Sequence, residues 1–136
     1  MLWMSDNPIN RIYIVWNAEK SLKGAVLGMI EVMRGIDSCS LCDITYNGLT
    51  PKPEWINYKA QLTNLHELEI IEYYRNKLPE KLSNFIRGNF PVIVGERTDG
   101  TLLRLLSPSA IDECAGDLGQ FMDILDTELE YQATDQ

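Results

Sequence analysis

The stretch Cys39-Ser40-Leu41-Cys42 is the one place in this chain where reactive side chains stand at a spacing that chemistry uses. Two thiols separated by two residues can exchange a disulfide with a partner or supply two ligands to a metal ion, and they can also be buried thiols without chemistry. The chain holds three cysteines, and in a reducing compartment such a pair favours redox or metal chemistry over a structural disulfide. The surrounding elements decide which chemistry the pair can support.

Local charge affects the reactivity of these two thiols. Asp37 and Asp43 bracket them, and negative charge disfavours the thiolate that acts as the nucleophile. A helix that begins at Ser38 would offset this in part, because the N-terminal end of a helix carries partial positive charge. In such a helix Cys39 is the exposed, attacking thiol, and Cys42 lies one turn further on and resolves the mixed disulfide.

Other groups that could take part in catalysis are few. His66 is the only histidine; a catalytic base or a third metal ligand could be built on it, but its position between a helix and a strand predicts a surface histidine. Cys114 is predicted to pack beside Ile111 as a small helix residue, and it could resolve a disulfide only if the fold brought it to Cys39. A set of closely spaced carboxylates is interpreted as a solvated face rather than an acid–base pair: Glu67, Glu69 and Glu72.

Length and composition indicate a single domain over residues 1–136, with flexible ends at 1–10 and from about Gln132. The content of 45% hydrophobic and 24% charged residues is typical of a globular protein. A net charge of −8 would repel a nucleic acid over most of the surface. No apolar run approaches the ~18 residues of a membrane span, and the N-terminus has no signal-peptide core. The sequence therefore predicts a cytoplasmic protein with neither nucleic acid nor membrane as a partner.

The first half of the chain contains one strongly predicted strand. Residues 12–16 are apolar on both faces, which is typical of a central strand covered on both sides. A helical stripe predicts a helix over about 21–34. The Cys-x-x-Cys pair then falls at or near a surface turn, before a breaker region at 47–53. A short amphipathic helix of about two turns begins at Pro53, and its apolar positions include aromatic residues expected in the core: Trp55, Tyr58 and Leu62, with Lys59 beside them.

The second half predicts strands and helices in alternation. The stretch 65–74 fits either a helix or a strand; a strand over roughly 67–74 is preferred because a clean helix follows from Pro79 to Gly88. Phe90 to Val94 forms a short strand opened by a proline, and Asp99-Gly100 turns the chain into a hairpin whose second strand is 102–106. Ser107 begins a short helix through Cys114, and Asp117 and Gln120 cap a longer one. The order of elements is that of an α/β thioredoxin-like fold, a mixed sheet with helices on both faces and a helical insertion after the first strand.

Four stretches carry a family resemblance. They are Trp16-Asn17-Ala18, the run from Cys39 to Tyr46, Glu54-Trp55, and Ser109-x-x-x-Glu113-Cys114 before the last helix. Together they resemble a family of uncharacterised bacterial proteins that are sometimes labelled loosely as GTPases. The resemblance implies no established activity, and the sequence contains neither a phosphate-binding P-loop nor an Asn-Lys-x-Asp guanine motif that would support the label.

A wider similarity is to thioredoxin-like proteins, in which a Cys-x-x-Cys at a helix N-terminus faces a cis-proline that begins the third strand. Pro91 matches that proline by its position, so the resemblance implies a cis Phe90-Pro91 bond and a substrate-binding role for Phe90 and Pro91. The sequence departs from the pattern in one respect, because a whole helix separates the first strand from the cysteines here.

These observations give three functional hypotheses. The first is a thiol–disulfide oxidoreductase or redox-responsive protein in which Cys39 and Cys42 form the catalytic pair, a protein thiol or disulfide is the partner, and no cofactor or metal takes part. The second is a non-catalytic thioredoxin-like protein-interaction domain. The third is zinc binding through the same two cysteines, which lack a second pair of ligands in the sequence.

Overall fold

The computed structural model describes residues 8–17, 40–47 and 50–134, so the helix predicted over 21–34 lies outside the described residues. The elements run, in chain order, β1 (Ile9–Trp16), α1 (Ser40–Thr45), β2 (Tyr46–Asn47), β3 (Thr50–Pro51), α2 (Pro53–His66), β4 (Glu69–Tyr74), α3 (Glu80–Ile86), β5 (Val92–Arg97), β6 (Leu102–Leu106), α4 (Pro108–Asp112) and α5 (Leu118–Thr134). None of these helices has the length and apolar composition needed to cross a membrane.

One four-stranded mixed sheet organises these elements, with the strand order β4-β1-β5-β6. β1 runs parallel to β4 and antiparallel to β5, and β5 and β6 form an antiparallel hairpin. β1 is therefore an inner strand, as its two apolar faces predicted. The predicted α/β class with a mixed sheet is confirmed. The strands β2 and β3 pair separately as a small antiparallel ribbon.

The two faces of β1 contribute to two apolar clusters. Ile12, Ile14 and Trp16 belong to the larger cluster, whereas Tyr13 and Val15 belong to the smaller one. The smaller cluster takes its helical residues from α3: Leu82 and Ile86. The larger cluster takes its helical residues from the other helices: Leu41 and Ile44 of α1, Trp55, Tyr58 and Leu62 of α2, Ile111 of α4, and Leu118, Phe121 and Leu125 of α5.

The stretch that fits both a helix and a strand is divided between them. α2 ends at His66, and Glu67 takes a left-handed conformation with φ 56° from which its N–H bonds back to the carbonyl of Leu62. β4 then begins at Glu69, so the predicted strand is confirmed. α2 is 14 residues long rather than about two turns. Its last turn, 63–66, is exposed, and Leu65 is 73% exposed although it continues the helical spacing of Tyr58 and Leu62. The sequence pattern placed Leu65 in the ambiguous stretch 65–74 instead, so the predicted helix was too short.

The predicted hairpin is also confirmed. The N–H of Gly100 donates to the carbonyl of Arg97 at 2.9 Å, and the N–H of Arg97 donates to the carbonyl of Thr101 at 2.9 Å. Gly100 has φ +90°, a conformation that glycine adopts without steric cost. Before the hairpin, the Phe90-Pro91 peptide bond is cis, as expected.

The C-terminal helices begin where the sequence placed them but end differently. The hydroxyl of Ser107 accepts a bond from the N–H of Ala110 and caps α4. α4 was predicted to reach Cys114 but ends at Asp112, because the N–H groups of Cys114 and Ala115 bond three residues back, to Ile111 and Asp112, rather than four. The chain then takes left-handed conformations at Ala115 and Gly116. α5 continues to Thr134, past the point where the sequence predicted fraying.

Candidate functional site

Two of the predicted site residues, Phe90 and Pro91, lie at one end of the sheet, where β1 ends and β5 begins. Val15 of β1 pairs with Val92 of β5 in the antiparallel ladder. Trp16 and Pro91 each lie one residue further along, so they occupy the same end of the two strands. Pro91 is buried, and Phe90 packs against the smaller apolar cluster.

An aromatic contact joins this end of β1 to the segment that follows α1. The ring centroids of Trp16 and Tyr46 are 5.9 Å apart in an edge-to-face arrangement, with 79° between their planes. Tyr46 directly follows α1, and both Leu41 and Ile44 of α1 belong to the same cluster as Trp16. The helix that contains Cys42 is therefore joined to the end of β1 by packed side chains.

The helix α1 is anchored in the core despite its short length. Leu41, Ile44 and Thr45 are fully buried. The hydroxyl of Thr45 donates to the carbonyl of Leu41 at 2.9 Å, and the N–H of Lys52 donates to the carbonyl of Thr45 at 2.8 Å. From Ser40 onward the Cys-x-x-Cys stretch is helical and Leu41 is buried, so this part of the stretch is not the surface turn that the sequence predicted.

The two cysteines of the pair are only partly covered by the structure. Cys39 lies outside the described residues, and of Cys42 the backbone alone, within α1, belongs to them. The pairing of Cys39 with Cys42 and its approach to Pro91 therefore remain predictions.

The surroundings of Cys114 should make its thiol unreactive. It is 1% exposed within the larger cluster, and its Sγ donates to the carbonyl of Ala110 at 3.5 Å. Burial raises the pKa of the Cys114 thiol, and the nearby charges of Asp117 and Glu113 raise it further. A thiol that stays protonated at neutral pH is a poor nucleophile. Cys114 and Ile111 share this cluster, as the sequence predicted.

His66 ends α2 and is exposed between that helix and β4, as predicted for a surface histidine at a helix–strand junction. Among the residues that the structure describes, no three side chains of His, Cys, Asp or Glu come together as a set of metal ligands. Cys39 is not one of those residues, so zinc binding through the Cys-x-x-Cys pair remains a prediction.

A buried carboxylate, Glu96, is the centre of a polar network. Glu96 is 8% exposed and accepts three bonds, from Arg11 Nη1 at 2.7 Å, Tyr13 Oη at 2.8 Å and Lys81 Nζ at 2.9 Å. Desolvation acts to raise the pKa of Glu96, but the three donors outweigh it and the pKa is lowered. Glu96 is therefore ionised at neutral pH and satisfied by its donors.

The same donors extend this network to its neighbours. Arg11 Nε also donates to Glu69 at 2.8 Å, and Lys81 Nζ donates to the carbonyl of Gly100 at 2.7 Å. The network thus ties β1, β4, β5, α3 and the hairpin turn together. Because every donor is already engaged by the protein, the arrangement is structural. Sequence reasoning missed it, although an acidic residue directly after the buried run 92–95 was a signal that a partner must exist.

The other closely spaced carboxylates form ion pairs at the surface. Glu69 pairs with Arg11, and Glu72 pairs with Lys59 at 2.8 Å. Both glutamates are exposed, as is Glu67, so the predicted solvated face is confirmed.

The described residues define the class of this protein as α/β, built on a four-stranded mixed sheet. Comparisons with protein-family models, curated proteins and solved structures find no match to the chain. A proposal for its function therefore depends on its own residues and their geometry.

Proposed function

We propose that this protein is a thioredoxin-like thiol–disulfide oxidoreductase or redox-responsive protein that uses Cys39 and Cys42, with Phe90 and Pro91 at the adjoining partner-binding surface. One observation carries the proposal. The segment after α1, the helix that contains Cys42, contacts the end of β1 through Tyr46 and Trp16, and Pro91 opens β5 at that same end of the sheet.

The connectivity of the sheet gives further support. β1 has β4 as its parallel neighbour in the sheet, with α1, β2, β3 and α2 between them in the chain. The helix α3, the antiparallel hairpin β5–β6, the short helix α4 and the long final helix α5 follow. This is the order of elements that the thioredoxin-like resemblance implies, with Pro91 directly before the third strand of that order.

The proposed chemistry is a two-electron exchange in two steps. The Cys39 thiolate attacks one sulfur of a partner disulfide, so that a mixed disulfide forms and the other partner sulfur leaves as a thiolate. The Cys42 thiolate then attacks the Cys39 sulfur, which forms the Cys39–Cys42 disulfide and releases the second partner thiolate. The partner is reduced and the pair is oxidised; a dithiol reductant restores the pair.

Thiol mapping tests the proposal directly. The full chain is equilibrated in glutathione buffers of graded potential, alkylated, digested and analysed by mass spectrometry. We expect a reversible Cys39–Cys42 disulfide and preferential alkylation of Cys39 near neutral pH. Cys39→Ser and Cys42→Ser should abolish the disulfide, whereas the matched change Cys114→Ser should leave it intact. The proposal is wrong if no 39–42 bridge forms or if both thiols titrate as ordinary thiols with a pKa near ~8.5.

The burial of α1 favours a second candidate, a non-catalytic interaction domain in which the pair is structural. Leu41 and Ile44 are fully buried, so the stretch around the cysteines already has a role in the core. This candidate predicts that oxidising buffer leaves all three thiols unlinked. Metal analysis of protein purified without added zinc separates both candidates from the zinc hypothesis, which requires stoichiometric metal that a thiol-modifying reagent releases.

A further inference from the structure

A cleft between α2 and α5 takes no part in the proposed disulfide exchange. Its volume is about 420 Å³, which lies within the range of small-ligand sites. Apolar side chains from separate elements line it: Ile9 of β1, Leu62 of α2, Leu68 before β4, and Leu129 of α5. The cleft can therefore remove the apolar part of a small molecule from water.

The polar lining of the cleft selects the charge of such a molecule. Asp126 and Glu130 lie four residues apart on α5 and both line the cleft, and none of the described residues that line it is Lys or Arg. α2 ends at His66 in the lining, and the C-terminal end of a helix carries partial negative charge. These features favour a cation over an anion or a neutral group.

A buried tyrosine orients one of the two carboxylates. Tyr58 is 6% exposed, and its hydroxyl donates to Asp126 Oδ1 at 2.6 Å. Tyr58 lies on α2 and Asp126 on α5, so this bond also fixes the two walls of the cleft relative to each other. A site built on two packed helices and a strand is held in shape before a ligand arrives.

We propose that this cleft binds a small primary amine with an apolar body. The body lies against Leu62, Leu68 and Leu129, and the ammonium group is paired by Asp126, with Glu130 adding negative charge at the rim. The cleft is open to solvent along its polar rim, so the affinity is modest, with Kd on the order of 1 mM. This site is independent of the Cys-x-x-Cys pair, and neither proposal depends on the other.

The test is a nitrogen-15 NMR titration of the full chain with hexylammonium, hexanol and hexanoate at neutral pH and low salt. We expect hexylammonium to shift backbone amides of 58–68 and 126–130, and to bind about fivefold more tightly than hexanol, since a partly exposed ion pair contributes about 1 kcal/mol. Hexanoate should bind more weakly than either. Equal affinity for hexylammonium and hexanol, or shifts spread over the whole surface, would refute the site.

Charge variants complete the test. Asp126→Asn should weaken hexylammonium binding about fivefold and leave hexanol binding unchanged. Asp123→Asn is the matched control, because Asp123 is exposed on the same helix but does not line the cleft. If Asp126→Asn perturbs the fold, Glu130→Gln removes the second carboxylate without touching the bond to Tyr58. Equal effects of the cleft variants and the control would contradict the proposal.

Discussion

The guanidinium of Arg11 and the carboxylate of Glu96 are joined at 2.7 Å across two antiparallel strands, although 85 positions separate them in the chain. Arg11 lies on β1 and Glu96 on β5, next to each other in the ladder. Tyr13 and Lys81 complete the shell of donors around the same carboxylate. This network stabilises one end of the sheet, where β1 begins and β5 ends. Trp16 and Pro91 lie at the opposite end.

Replacing the buried carboxylate should destabilise the fold. Glu96→Gln removes the charge that three donors surround, and we expect the free energy of unfolding to fall by about 1–3 kcal/mol. Glu69→Gln is the matched control, since Glu69 pairs with the same arginine but its side chain is 58% exposed. It should cost less than about 1 kcal/mol. Urea denaturation of both variants at neutral pH measures the difference; equal losses would show that burial of Glu96 adds nothing.

The same carboxylate should make stability depend on acid pH. The folded-state pKa of Glu96 is lower than its ordinary value of 4.5, so the unfolded chain takes up the proton first as the pH falls. The stabilisation is complete above the ordinary pKa and is lost as the pH falls through the folded pKa. The difference in stability between the wild type and Glu96→Gln should therefore be constant from neutral pH to about 5, and it should shrink below about 4. A difference that stays unchanged down to the acid-unfolding limit would show that Glu96 has an ordinary pKa.

Cys114 should be protected from reagents as long as the protein is folded. In the variant that carries Cys39→Ser and Cys42→Ser, Cys114 is the only thiol left to react. Because it is 1% exposed and its pKa is raised, alkylation in native buffer should be at least about a hundredfold slower than in urea. Rapid native labelling would show that the turn after α4 opens readily and would restore Cys114 as a possible resolving thiol.

The contact between Trp16 and Tyr46 should control the local stability of α1. Tyr46→Ala removes an aromatic pair worth about 1 kcal/mol, so amide hydrogen exchange of residues 41–45 should accelerate about fivefold. Tyr73→Ala is the control, because Tyr73 stacks on Tyr13 at 6.0 Å and belongs to the cluster on the other face of the sheet. Faster exchange of α1 in both variants would mean that the loss is global and not carried by this contact.

Local patterns in the sequence predicted most elements because each has a local physical cause. The strand 12–16 follows from apolar residues on both faces, and the hairpin follows from Asp99-Gly100, whose glycine adopts the positive φ that the turn needs. The end of α2 was harder, since Leu65 fits the helical period of the residues before it and also that of the stretch that follows. Hydrophobic periodicity alone does not locate the boundary between a helix and the strand after it.

The tertiary partners could not be predicted in the same way. A single sequence shows that Glu96 follows an apolar run, but the three donors that make its burial tolerable come from β1 and α3. Likewise, nothing in the order of residues indicates that Tyr58 would meet Asp126 across two helices. Such pairs depend on how elements dock, and a single sequence does not record this.

The position of β1 also affects the order in which the protein can assemble. β1 is the first strand described, yet both of its neighbours in the sheet, β4 and β5, come much later in the chain. During synthesis on the ribosome its apolar residues must remain without their final partners until the segment through Arg97 has emerged. Pairing between strands that are far apart in sequence is slow, and until it occurs the folding intermediate exposes apolar surface and is prone to aggregate. The nascent chain should therefore depend on chaperones more than the modest size of the finished domain suggests.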